Sequence, residues 1–418
     1  MGNGFAVNGM NVLKRTMILM LALCLCAGLF FGGAWAEQIV ELSCGASEWL
    51  DLQCTLPDGR LLLTGGKGAD GSAAPSAWML CLNADRTVSW EYIDRDGYRS
   101  AGKAAVTEDG TAAVVFEDRQ GKLKARFFTA DGEPTGRELE LPEGCAVYAA
   151  EPSRLILFPY KEDGTDETLI VDWDGKELLR YDGLVMYQAY GFRVRGTEEL
   201  VFVGHDAEEH GRAKIMKMDG LTGSPAWETT LDYILPDTDE AEFWSAVKTE
   251  DGGYAAWLQE RKPETADEPG AWRDILVKFD ENGRVQWTNR EIFETDNLVF
   301  QDVFVSGDRI AVHCVPEGDG SPDGFTPRFF RWFSLDGKEL DTTVLQLDAE
   351  EFSALRQYAA PAEDGGERFL IASIQAPVAM EDGLWALASC YAAEKDGDAM
   401  VCADLRSNEI AMVKIPEP

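Results

Sequence analysis

From Cys81 onward, short runs of large apolar residues, some alternating with polar ones and some unbroken, recur along the chain. Each run ends in Asp or Asp-Gly, and a polar turn and a second short run follow. The copies begin at Cys81 (CLNADRTVSW), Arg126 (RFFTADGEPTGREL), Leu169 (LIVDWDGKELL), Ile215 (IMKMDGLTGSPAW), Leu276 (LVKFDENGRVQW), Arg331 (RWFSLDGKEL) and Val401 (VCADLRSNEIAMV), at intervals of 45, 43, 46, 61, 55 and 70 residues. Runs such as Leu276–Phe279 and Leu200–Val203 are β-branched or aromatic and short, which predicts strands rather than helices.

A second set of turns lies upstream of the copies. Asp58-Gly59 precedes LLL, Asp109-Gly110 precedes TAAVVF, Pro152-Ser153 precedes LILF, and Thr197-Glu198 precedes LVFVG. Asp251-Gly252 precedes YAAW, Gly307-Asp308 precedes IAV, and Asp382-Gly383 precedes LWALAS. Two hairpin turns per period mean four strands per period, and glycine supplies the positive φ that tight hairpins need. Seven such units predict an all-β fold: a seven-bladed β-propeller of four-stranded antiparallel blades, with six or eight blades as the alternative counts. A β-sandwich would also use short strands and Gly-rich turns, but it does not require the period. The last interval is stretched by residues 348–365, which are expected to be an insertion opening on a short helix capped by Asp348.

Residues 1–36 have the layout of a secretory signal peptide. Lys14 and Arg15 are followed by an apolar run from Met17 to Phe31 and by Ala34-Trp35-Ala36. The run is short for a membrane span, so no membrane insertion is expected after cleavage. Cys24 and Cys26 follow Leu23 and Leu25, where a lipobox wants a small residue, which argues against lipoprotein anchoring. Residues 37–418 read as a single domain, secreted or otherwise extracytoplasmic (cell surface or periplasm), and monomeric. The formal net charge of −36 is spread over turns throughout the chain and sets aside nucleic acid as a partner.

Seven cysteines follow the leader, an odd number; the pairs suggested by proximity are Cys44 with Cys54 and Cys390 with Cys402. Cys81 and Cys145 read as buried fillers. Three histidines leave few His-based mechanisms. His205 and His210 flank an acidic loop (HDAEEH) that could hold a metal, although a solvated loop explains the spacing better. His313 reads as a strand histidine. Asp94–Gly97 and Asp172–Gly175 hint at calcium loops, yet lack the alternating oxygen set and read as turns. No catalytic residue, metal site or cofactor is assigned.

Trp90, Trp227 and Trp287 each follow a repeat acid on what should be the outer strand, where large rings would fill the wedge between blades. Trp272, beside residues 260–270, is instead a candidate ligand-stacking platform. The sequences IMKMDGLTGSPAWETTL and TEDGGYAAW with DILVKFDENGRVQW resemble the blade repeats of quinoprotein-like (PQQ-like) β-propellers of secreted bacterial proteins. That resemblance implies the propeller fold. It carries over no enzyme, because the cofactor-ring and metal residues of quinone-dependent dehydrogenases are not matched, and sialidase-type Asp boxes are not met.

In an up-and-down blade the first and third turns lie on one face, and the second turn and the crossover on the other. The long connections 66–76, 206–211, 260–271 and 316–327 should therefore gather on one face. The expected function is a binding scaffold for an extracellular protein or glycan through that face, with Trp272, His205 and His210 as ligand-binding candidates. An extracytoplasmic polysaccharide hydrolase or lyase with carboxylates at the channel mouth is the alternative.

Overall fold

The computed structural model describes residues 39–44, 48–68, 75–159, 167–182, 192–193, 199–205, 211–219, 225–264, 270–290, 298–316, 325–352, 355, 368–375, 377–380, 382–396, 399–402 and 409–418. The chain falls into two compact units, Met1–Val40 and Glu41–Pro418. Seven four-stranded antiparallel sheets form the propeller. Blade 1 comprises Trp49–Thr55, Leu61–Lys67, Ser76–Leu82 and Val88–Ile93. Blade 2 comprises Tyr98–Val106, Ala112–Asp118, Leu123–Phe128 and Pro134–Glu140. Blade 3, the faintest in sequence together with blade 2, is complete: Cys145–Glu151, Arg154–Pro159, Glu167–Asp172 and Glu177–Asp182. Blade 4 is Phe192–Arg193, Leu200–His205, Ala213–Met218 and Pro225–Thr230. Blade 5 is Glu240–Lys248, Tyr254–Lys262, Ala271–Phe279 and Val285–Asn289. Blade 6 is Leu298–Ser306, Arg309–Pro316, Arg328–Ser334 and Glu339–Leu345.

The seventh blade departs from the expected repeat. Its strands are Arg368–Ile374, Gly383–Asp396 and Glu409–Ile415, and the fourth is Ile39–Cys44 from the other end of the chain. The copy placed at Val401 is therefore out of register. Ala399–Cys402 is a short side strand on Gly383–Asp396, and Glu409–Ile415 is the third strand, not the fourth. Pairing between the two chain ends leaves no local signal, which is why the repeat alone misplaced it.

Burial follows a radial gradient. In blade 1, Leu61–Leu63 and Ala77–Leu82 are buried without interruption, whereas Val88–Ile93 contains no buried residue. Second and third strands are covered on both faces by neighbouring blades, so they read as unbroken apolar runs. Fourth strands meet solvent at the rim.

The turns are held by their acids. In blade 5, Asp280 Oδ1 accepts the N–H groups of Asn282 and Arg284, both at 2.9 Å. Gly283 follows at φ +73°, a conformation that an L side chain adopts only with strain. The outer-strand tryptophans pack onto the glycine of the next blade's turn. A Cβ on Gly283 would lie 2.2 Å from the Trp227 ring, and one on Gly132 would lie 2.6 Å from Trp90. Trp90 Nε1 also donates to the Ala130 carbonyl at 2.9 Å, and Trp287 Nε1 to Leu335 at 2.8 Å. These rings therefore fill inter-blade wedges, as the sequence suggested.

Where blade 7 meets blade 1 the arrangement reverses. Arg86 occupies the glycine position of the turn at φ +65°. Its guanidinium reaches back to Asp382 at 2.8 Å and stacks 4.0 Å over the Trp385 ring. On the inner side of the same seam, Gln375 completes a mock strand. Its Nε2 donates to the Leu50 carbonyl at 2.9 Å, and its Oε1 accepts the Leu52 N–H at 2.9 Å.

Ala349–Glu351 forms a single 3-10 turn, headed by Asp348, whose Oδ1 accepts the Glu350 N–H at 2.9 Å. Most of the 353–367 stretch lies outside the described residues. Asp94 closes the crossover from blade 1 to blade 2 by accepting the N–H groups of Asp96, Gly97 and Tyr98 at 2.8, 2.9 and 3.0 Å. Asp172 accepts the N–H groups of Asp174 and Lys176, at 3.0 and 2.9 Å, in the third-to-fourth turn of blade 3. Both calcium-like stretches are thus turns. Cys54, Cys81, Cys145, Cys314 and Cys390 are free thiols, so neither suggested disulfide forms. Burial pushes the Cys54 and Cys314 thiols up to about 12, which leaves them inert.

Candidate functional site

The first strands of neighbouring blades pack against one another: Trp49–Thr55 on Tyr98–Val106, that strand on Cys145–Glu151, and Glu240–Lys248 on Leu298–Ser306. They are the inner strands. Antiparallel pairing then puts every first-to-second and third-to-fourth turn on one face. Second-to-third turns and crossovers lie on the other. The expected long connections 66–76, 206–211, 260–271 and 316–327 all occupy second-to-third positions, although their centres lie outside the described residues.

Exposed aromatic side chains distinguish the two faces. Trp49 opens the first strand of blade 1, Trp272 opens the third strand of blade 5, and Tyr233 lies in the crossover from blade 4 to blade 5. At 38%, 44% and 37% exposed, all three sit on the loop-rich face. Among the described residues, the exposed large apolar side chains at the opposite end of the blades are aliphatic: Val88, Leu178, Val285 and Leu340.

Two adjoining cavities open on the loop-rich face at blade 2. One, of about 440 Å³, lies against the inner strands of blades 1, 2 and 3. The other, of about 430 Å³, runs outward between the second turn of blade 2 and the crossover to blade 3. They share Gly121, Leu123, Gly144 and Cys145. The inner cavity lies where strand pairing is broken. The ladder of Tyr98–Val106 with Ala112–Asp118 skips between Ala101 and Ala104, leaving Gly102 and Lys103 out. Blade 1 has a bulge beside it, between Leu52 and Cys54, which frees Gln53. Bulges re-aim side chains and are common beside functional sites.

A second concentration of polar and aromatic groups lies at the loop-rich rim of blade 5. Gln259 faces Glu242 on one side and Asp274 on the other. Asp274 Oδ1 accepts from Trp257 Nε1 and Gln259 Nε2, each at 2.8 Å. Burial first, and the charge of Glu240 second, raise the Glu242 carboxyl above its ordinary range. Trp257 stacks on Phe300 of blade 6 with ring centroids 4.8 Å apart. One row further out, Trp272 pairs with Arg261, whose Nη2 bonds Asp239 at 3.0 Å. The crossover beneath is fixed by buried Glu260, which accepts the N–H groups of Ile234 and Leu235 at 2.6 and 2.8 Å.

Of the sequence candidates, Trp272 is at this rim, on the loop-rich face. His205 ends the second strand of blade 4, next to the 206–211 connection, and its side chain, like all of His210, lies outside the described residues. His313 is a buried strand histidine stacked on Phe330 at 5.0 Å; burial and the Arg328 charge hold it neutral, down to about 3. Among the described residues no group of three or more His, Cys, Asp or Glu side chains could hold a metal ion. Sequence reasoning missed the blade 2 cavities. Their only signal was the Gly102-Lys103 step inside a strand.

No protein-family model and no curated protein matches this chain. Solved structures are similar to most of this chain at very low identity. The β-propeller domain of the Trilobed protease from Pyrococcus furiosus is 10% identical, with a TM-score of 0.47, covering 85% of this chain and 97% of that one. Acylaminoacyl peptidase from Pyrococcus horikoshii is 10% identical, with a TM-score of 0.46, over 85% of this chain and 52% of that one. Sqt1 from Chaetomium thermophilum is 10% identical, with a TM-score of 0.45, over 90% and 97%.

Proposed function

We propose that this chain is a binding scaffold working outside the cytoplasm, whose loop-rich face recognises a protein or a glycan. The confinement of exposed Trp49, Trp272 and Tyr233 to that face carries the proposal. Aromatic rings offer large contact area at little entropic cost and dominate protein and sugar recognition. The long second-to-third connections emerge on the same side, where loops held by a rigid frame usually bind. The signal-peptide layout of residues 1–36 supports export.

Glycan-array and pull-down screens with residues 37–418 test the proposal. Binding should weaken at least tenfold in Trp272→Ala and vanish when residues 260–271 and 316–327 are shortened, while the thermal melt is retained. Undiminished binding after both truncations would refute it. Fractionation of cells expressing the full chain tests export, and retention in the cytosol would remove that part of the proposal.

A second reading, polysaccharide hydrolysis or lysis, draws on Glu242. It is a carboxyl raised by burial, in one row with Gln259 and Asp274. Two carboxyl groups flanking one site are what paired-acid chemistry requires. Reducing-sugar release from a polysaccharide panel, abolished in Glu242→Gln, would support it.

A further inference from the structure

We infer that the inner cavity at blade 2 is a binding site for a small monocarboxylate with an apolar body. Two residues with free hydrogen-bond donors line it together with apolar side chains. Lys103 lines the cavity from the interrupted inner strand of blade 2 and has no ion-pair partner among the described residues, in a chain with 74 acids and 38 Lys and Arg. Gln53, from the bulge in blade 1, is fixed through its Oε1, which accepts the Ala104 N–H at 3.3 Å. Its amide NH2 has no partner among the described residues, and donors are all that this end of the side chain can offer.

Two acids line the same cavity, and each already has a partner of its own. Asp51 accepts from Gln375 Nε2 at 2.8 Å, and Glu117 is paired with Arg99 and receives the Ser100 hydroxyl at 3.3 Å. An ammonium and an amide NH2, neither of them taken up by these acids, suit one carboxylate. Val115, Leu123, Cys145, Ala146 and Val147 supply the apolar part of the wall, and Ser100 and three glycines complete it. At about 440 Å³ the cavity is in the range that encloses small ligands. The net charge of −36 repels any anion at long range, but roughly 0.15 M salt limits that repulsion to about 8 Å, while the Lys103 contact remains local. A single charge on an apolar body therefore fits better than a polyanion. The site uses none of the loops or exposed aromatic residues invoked above, so the failure of either proposal leaves the other standing.

Isothermal titration with sodium octanoate and with octan-1-ol, at about 0.15 M salt, tests the inference on residues 37–418. Octanoate should bind the wild type and Lys103→Arg alike. It should bind Lys103→Met and Gln53→Leu at least tenfold more weakly, and octanol should bind the wild type at least tenfold more weakly than octanoate. Lys103 is exposed, so matching thermal melts will show that its variants fold. No heat with octanoate at millimolar concentration, equal binding to Lys103→Met, or equal binding of octanol would overturn it.

Discussion

Single positions in this ring are constrained by the next blade as much as by their own. Gly283 is held at φ +73° beneath Trp227, so a methyl group there meets both backbone strain and an indole. Gly283→Ala should lower stability by about 1–3 kcal/mol, read as a lower denaturation midpoint with an unchanged m-value. Gly59→Ala, at φ +85° with open space around it, should cost only the strain, about 1 kcal/mol. His313 supplies a pH dependence. Its folded value of about 3 is below the ordinary 6.5, so the unfolded chain takes up the proton first as pH falls. Stability is fully present above pH 6.5 and is lost progressively toward 3, by about 2 kcal/mol at pH 5. His313→Phe should flatten the stability profile between pH 6.5 and 5, measured by denaturant melts; an unaltered slope would show that the ring is protonated in the fold.

Strands and turns were legible because their causes are local. Asp-Gly steps fix hairpins, and unbroken apolar runs such as Ala112–Phe116 mark strands buried on both sides. The outer-strand tryptophans were legible for the same reason, since a large ring at the rim has only the wedge to fill. Trp287→Ala should cost about 2–4 kcal/mol, because it opens a void and leaves the Leu335 carbonyl without its indole donor. A change below about 0.5 kcal/mol would show that the wedge collapses without cost. What could not be read was every feature made between distant segments. The union of Ile39–Cys44 with the last blade, the Gln53 bond to Ala104 and the cavities of blade 2 all depend on which strands become neighbours. Of the candidate residues, only Trp272 was both named from sequence and found on the aromatic rim, because an isolated exposed ring is itself a local signal.

Across the whole molecule, the charge of −36 opposes compaction. Raising sodium chloride from about 0.02 to 0.3 M shortens the screening length from roughly 20 to 6 Å, so the melting temperature should rise. A fall would mean that the ion pairs, several of them partly buried, outweigh the repulsion. The seam between blades 7 and 1 is closed by Arg86 and Gln375, where Trp90, Trp227 and Trp287 close three other seams with a ring over glycine. That seam also fixes the order of assembly. The segment Ile39–Cys44 leaves the ribosome among the first residues of the propeller, yet its template strand, Glu409–Ile415, is among the last. It must wait, unpaired, until the last blade has been made. Transplanting those six residues to follow Pro418 would make the pairing a simple hairpin, and such a permuted chain should refold faster than the natural one at similar stability.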